Sequence, residues 1–220
     1  MSSNAYGDFA TRLREPLLLI RDSLAAVDAV RATALSKGAS VLAAAAVERY
    51  VNDVVIELCS KLAAATWEEL TEGQQRYMAR QLARSLYAPV RRIHRKGELT
   101  AKRRAKLRAV VAQCEAAFGS PAMWQHVPEY GVFMEGAAEP ERVAATLRIF
   151  DGDGRSLFAF AAGRGLDSGA LARALTSLID ARHQAAHANK GTVPGPTDVR
   201  IWILLSLVLV RQVEVFLGFR

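Results

Sequence analysis

Over most of its length the chain spaces its apolar side chains three and four residues apart and seldom alternates them. That period belongs to the α-helix, in which residues i, i+3, i+4 and i+7 share one face. Ala and Leu dominate the spaced positions, and strand-like runs are scarce. With 220 residues, 51% of them hydrophobic, the chain holds enough apolar material for one full core or two small ones. There is no internal repeat, no low-complexity segment and no composition shift that marks a linker. The spacing therefore predicts an all-α fold, a helical bundle formed as a single domain over 1–220.

A first helix is expected over 8–35, with Phe9, Leu13, Leu17, Ile20, Leu24 and Val27 on its apolar stripe. Pro16 kinks it or marks its true start, and Gly38 ends it. A second is expected over 39–65, burying Val47, Tyr50, Val51, Val54, Val55 and Leu58, with Ala43 to Ala46 admitting a close neighbour. Thr71 precedes a third over 72–93, on which Tyr77, Leu82, Leu86 and Val90 repeat. Thr100 caps a fourth over 101–118. Pro121, Pro128 and Gly131 break the pattern between 119 and 136. Pro140 suits the first turn of a short helix ending near Phe150. Ser168 opens a helix over 169–188 that buries Leu171, Leu175, Leu178 and Ile179. After the Gly191 to Pro196 break, Asp198 caps a last helix over 199–217.

The formal charge of +7 is concentrated. Arg91, Arg92, Arg95, Lys96, Lys102, Arg103, Arg104, Lys106 and Arg108 are opposed locally by Glu98 alone, so this stretch carries +8 and the remainder sums to −1. A patch of that kind is either a solvated helix face with a loop or a track that collects RNA through its phosphates. Arg91, Arg92, Arg95, Lys96, Lys102, Arg103 and Arg104 are the candidate RNA contacts. The two cysteines, Cys59 and Cys114, form no Cys-x-x-Cys pair, which argues against a disulfide framework or thiolate metal site and for a cytoplasmic chain. The first residues lack a basic segment followed by an apolar core, so no signal peptide is expected. The longest apolar run, 201–210, is interrupted by Ser206 and is about half of the roughly 20 residues that span a bilayer. A buried helix is expected there, and no membrane partner.

Chemistry gathers in one segment, Asp180-Ala181-Arg182-His183-Gln184-Ala185-Ala186-His187-Ala188-Asn189-Lys190. Polar groups crowd the end of an otherwise apolar helix, and the alanines leave room for a ligand. A neutral imidazole is a base near pH 7, and a guanidinium holds two phosphate oxygens at once. Together they suit metal-free RNA cleavage. The imidazole takes the 2′-hydroxyl proton or protonates the leaving 5′-oxygen, while the guanidinium balances charge on the phosphorane. Arg182 and His187, five residues apart, point about 140° apart on an ideal helix. A local distortion or a two-fold dimer would bring such groups together. Other readings use the same residues. Asp180, His183 and His187 share a face with a spacing that can bind zinc, although Gln184 stands where a zinc protease has its Glu. An Arg and a His at a helix end also interact with its dipole. Glu48 and Asp53 are acids in an apolar helix. Glu48 either orients Arg182 or His187 or pairs locally with Arg49 or Asn52. Asp151-Gly152-Asp153-Gly154 is a tight turn that lacks the further ligands of a calcium loop.

The segment Arg182-His183-Gln184-Ala185-Ala186-His187-Ala188, an Arg-polar-x-x-x-His pattern near the start of the last helical pair, resembles the motif of the HEPN superfamily of ribonucleases. It is most similar to the RiboL-PSP branch, where Arg-Asn-x-x-Ala-His-Gly is usual. The Pro-started helix between Gly136 and Gly152, and Val47-Glu48-Arg49-Tyr50-Val51, look similar too. The resemblance covers about residues 9–217. It implies a HEPN-type bundle with a long basic insertion and a homodimeric endoribonuclease for single-stranded RNA that needs no metal or other cofactor. Such a protein is often a toxin or phage-defence component with an antitoxin or defence partner. On that basis Arg182 and His187 are catalytic and His183 lines the site, with Glu48 and Asp180 as further candidate supports. The chain departs at Ala188, where Gly is common, and at Asn189, where some members carry the Tyr to which a partner attaches a nucleotide. The competing expectation is a non-enzymatic helical module that binds RNA or protein and in which the Arg–His pair is structural.

Overall fold

The computed structural model describes residues 2–62, 65–80, 100–119, 139–151, 154–186 and 194–219. Among these the structure is all-helical, with no strand. The helices are α1 (Asn4–Arg12), α2 (Arg14–Ala25), α3 (Ala29–Lys61), α4 (described over 72–80), α5 (Ala101–Gly119), α6 (Pro140–Arg148), α7 (Leu157–Gly163), α8 (Ser168–Ala186) and α9 (Pro196–Phe216). The chain divides into two compact units, one of Met1–Val54 with Met134–Arg220, the other Val55–Phe133.

The N-terminal helices differ from the expected one in their bounds. The expected first helix is two helices, interrupted at Leu13, and Pro16 lies in the first turn of α2, where its missing N–H costs nothing. The buried stripe runs on through the interruption, over Ala5, Phe9, Leu13, Pro16, Ile20 and Ser23, at three- and four-residue spacing. Phe9, Leu13 and Ile20 are buried, while Leu17, Leu24 and Val27 stay exposed. The break expected at Gly38 falls instead at 26–28. There Asp28 caps α3, its carboxylate accepting from the Val30 N–H at 2.9 Å, and the Ser23 hydroxyl donates to the Ala32 carbonyl at 2.7 Å. Gly38 sits inside α3, and a Cβ there would meet Leu19 Cδ1 at 3.6 Å, an ordinary contact. Gly38→Ala should therefore gain about 0.5–1 kcal/mol from helix propensity and lower unfolded-state entropy. Thermal unfolding should show a higher Tm; a lower one would contradict this packing.

In the larger unit α8 packs on α9, α2 and α7 also pack on α9, and hydrogen bonds link α3 to α8 and to α9. Val47, Tyr50, Val51 and Val54 of α3 are buried as the spacing requires, as are Leu171, Leu175, Leu178 and Ile179 of α8. Ala43, Ala44 and Ala46 are also buried. Among the described helices α3 is long and apolar enough to cross a bilayer by length and composition alone, with 39% of its most apolar stretch buried in the structure. Pro140 opens α6 at its first position, and Pro196 does the same for α9, with Asp198 in the first turn rather than at the cap. Asp167, not Ser168, caps α8, accepting from the Ala170 N–H at 2.8 Å. The short α7 is an addition to the expected elements.

Glu214 is the most heavily bonded carboxylate of this core. It sits on the inward face of α9 beside Val210 and Val213 and is 3% exposed. Its Oε2 accepts from the Ser3 backbone N–H at 2.8 Å, and its Oε1 accepts from the Ser3 hydroxyl at 2.6 Å and the Tyr50 hydroxyl at 2.8 Å. One buried acid thus ties the start of α1, the middle of α3 and the end of α9 together. The Tyr50 ring lies 5.4 Å from that of Phe9.

In the smaller unit Thr71 and Gln74 form a reciprocal cap on α4. The Thr71 hydroxyl accepts from the Gln74 N–H at 3.3 Å and the Gln74 side chain accepts from the Thr71 N–H at 3.0 Å. Met78 is buried and Tyr77 half-buried. Leu82, Leu86 and Val90 lie outside the described residues. Thr100 starts α5 as expected, its carbonyl accepting from the Arg103 and Arg104 N–H groups at 3.0 Å. Cys59 is fully buried, and desolvation pushes its thiol up to about 12. In a Cys114→Ser background, native protein at pH 8 should leave Ellman's reagent unreacted until it is unfolded. Rapid labelling of the native state would contradict this burial.

Candidate functional site

The last turn of α8 carries the polar cluster, and the structure gives its members different surroundings. Ala181 is buried against the core and so fixes the rotation of the turn. Arg182, one step on, reaches α3, where its Nη1 donates to Oε2 of Glu48 in a close ion pair. The two residues are 134 apart in sequence. The Arg182 side chain keeps 39% of its surface exposed while Glu48 keeps 18%. The carboxylate therefore grips one edge of the guanidinium and leaves donors facing solvent. An ion pair this open contributes about 1 kcal/mol or less to stability. Its larger consequence is orientation, since a flexible arginine is held by one end.

Glu48 does not pair with Arg49. That arginine is taken by Asp53, Nε to Oδ2 at 2.9 Å one helical turn away. The two acids of α3 thus divide. Glu48 bonds to Arg182 of α8, and Asp53 bonds along its own helix.

Asp180 and His183, which flank Ala181 and Arg182, are exposed. Neither is bonded to Arg182 among the described residues. His187, Ala188 and Asn189 lie outside the described residues, so the spacing between Arg182 and His187 is an expectation from sequence. Among the described residues no three His, Cys, Asp or Glu side chains gather as a metal-binding set. Asp151, the first acid of the Asp-Gly-Asp-Gly turn, is engaged by Arg155, which bonds it through its backbone N–H at 2.6 Å and Nη2 at 3.1 Å. Gly154 closes that turn with φ near +63°, a conformation for which glycine is suited.

No family model, curated protein or solved structure matches this chain. The site is characterised by its own chemistry. That chemistry is a half-exposed guanidinium, anchored from behind by a carboxylate, at the end of a helix whose sequence continues to a histidine. Such a group binds an oxyanion without having to be ordered first.

Of the basic stretch, Arg91, Arg92, Arg95 and Lys96 lie outside the described residues. Lys102, Arg104, Lys106 and Arg108 are exposed on α5, and Arg103 is half-buried. Sequence reading missed Glu214 and its hydrogen bonds. The signal was present but weak, an acid at a core-register position of the most apolar helix.

Proposed function

We propose that the chain is a metal-independent endoribonuclease acting on single-stranded RNA, with Arg182 and His187 as its catalytic pair in a homodimer. The observation that carries this reading is the Arg182–Glu48 ion pair, which orients the guanidinium and leaves part of it open to solvent. Arg182 binds the scissile phosphate and balances the charge that builds on the phosphorane. His187, as a neutral base, takes the 2′-hydroxyl proton, or as an imidazolium protonates the departing 5′-oxygen. In the first step the 2′-oxygen bonds to phosphorus and the bond to the 5′-oxygen breaks, leaving a 2′,3′-cyclic phosphate and a 5′-hydroxyl. Glu48 is the positioning residue for Arg182, and His183 lines the open side of the same turn. A role in a toxin–antitoxin or phage-defence system, with a neutralising partner and a cytoplasmic setting, belongs to the same proposal.

A second reading is favoured by the same contact. The Arg182–Glu48 pair ties α8 to α3, so its purpose can be structural in a module that binds RNA or protein without turnover. Incubating purified chain with total RNA in a chelator separates the two. Discrete fragments ending in cyclic phosphate support the nuclease, and intact RNA over long incubation supports the module.

A further inference from the structure

We propose that α5 is a nucleic-acid-binding helix that holds a phosphodiester backbone, whether or not α8 cleaves RNA. The electrostatics of this helix oppose its own folding. Its first turn holds Lys102, Arg103 and Arg104 and no acid, at the end where the helix dipole is already positive. Lys102 with Lys106, and Arg104 with Arg108, are like-charge pairs one turn apart, which repel. No acidic residue occurs between Thr100 and Cys114. Elsewhere acids are interspersed with the basic residues, and several of those are paired, although Arg12, Arg31, Lys37 and Arg200 form no ion pair among the described residues. Arg21, Arg49, Lys61, Arg76, Arg142, Arg155 and Arg173 each have a carboxylate partner within their own segment. Lys102, Arg104, Lys106 and Arg108 are exposed and form no ion pair among the described residues.

The pattern also selects the kind of anion. Cations repeat at about 6 Å along the helix, four residues at about 1.5 Å each, comparable to the step between successive phosphates of a nucleic-acid strand. Lys102 and Lys106 lie on one flank, and Arg104 and Arg108 lie roughly 160–200° around on the other. An amphipathic membrane helix needs a bulky apolar face opposite its cations. Here the residues between them are Ala101, Ala105 and Ala109, Leu107 is half-buried, and Val111 is the one large apolar side chain exposed among the described residues of this helix. A protein interface needs aromatic or aliphatic anchors, and Val111 is the one such exposed side chain among the described residues of this helix. A polyphosphate needs neither.

The test uses the full chain and two labelled probes, a 2′-O-methyl oligouridylate, which has no 2′-hydroxyl to attack, and a duplex DNA of equal length. Each is titrated across a salt series. Combining Lys102→Gln, Arg104→Gln, Lys106→Gln and Arg108→Gln should lower the slope of log affinity against log salt by about 3 on the single strand, about 0.7 per cation removed. At about 0.1 M salt binding should weaken by several hundredfold. Gln keeps high helix propensity, so circular dichroism should show unchanged helicity. Lys106→Arg should keep the parental slope. Loss on either probe supports the assignment, and its size on each shows which strand form α5 prefers. Parental affinity and slope in the helical fourfold variant would overturn it. So would loss of binding to phosphatidylserine vesicles with both oligonucleotides unaffected.

Discussion

His187→Ala and Arg182→Ala should each leave a folded protein that scarcely cleaves RNA. Removing a positioned acid or base costs about 10²–10⁴-fold in rate, and removing a group that stabilises transition-state charge about 10²–10³-fold. Either is far larger than the stability effect, because Arg182 keeps 39% of its side chain exposed and its pair with Glu48 is worth little to the fold. Arg182→Lys keeps the charge but loses the planar fork, and it should recover little of the activity. Glu48→Ala differs in kind. It removes the anchor and leaves the guanidinium, so the expected loss is about tenfold, mainly in kcat if the pair orients Arg182 for the transition state alone. Glu48→Gln should restore part of it. Rates would be read on a labelled single-stranded RNA, with circular dichroism and gel filtration as controls on fold and subunit number. Undiminished cleavage by the His187→Ala protein would end the proposed mechanism.

The second large effect concerns stability. Glu214→Ala should destabilise the protein by about 3 kcal/mol or more. It strips the acceptor from the Ser3 N–H, the Ser3 hydroxyl and the Tyr50 hydroxyl in a site closed to water, and buried donors left unmatched cost about 1–3 kcal/mol each. For a chain of this length that is a fall in Tm of roughly 6–12 °C. Tyr50→Phe removes one donor from a charged acceptor and should cost about 1.5–3 kcal/mol. Because both changes act on one network, the double variant should lose less than the sum of the two. An unchanged Tm for Glu214→Ala would show that α1 and α9 are held together by something other than this carboxylate.

The helical class and most of the buried face are legible in the order of the amino acids. Val47, Tyr50, Val51, Val54, Val55 and Leu58 recur at helical spacing and are all buried, as are Leu171, Leu175, Leu178 and Ile179. Long amphipathic helices announce themselves because every turn repeats the same signal. The N-terminal helix boundaries are not legible in that way. The buried stripe continues through Leu13 but takes in Pro16 and Ser23, which are not markedly apolar, while the apolar Leu17 and Leu24 lie beside it, turned outward. Gly38 looks like a boundary because glycine is a poor helix former, but its cost of about 1 kcal/mol is small beside that of interrupting a packed helix.

The site divides in the same way. Sequence alone singles out Arg182, His183 and His187 as a chemical cluster, since composition and spacing along one segment are local properties. It also names Glu48 as a candidate partner without deciding between a neighbour in its own helix and a group far away. Only the packing of α8 on α3 joins Glu48 to Arg182 across 134 residues, and only the packing of α9 brings Glu214 to Ser3 across 211. A hydrogen bond forms between groups that meet in space, and the period of a helix records which way a side chain faces but not what it will find there.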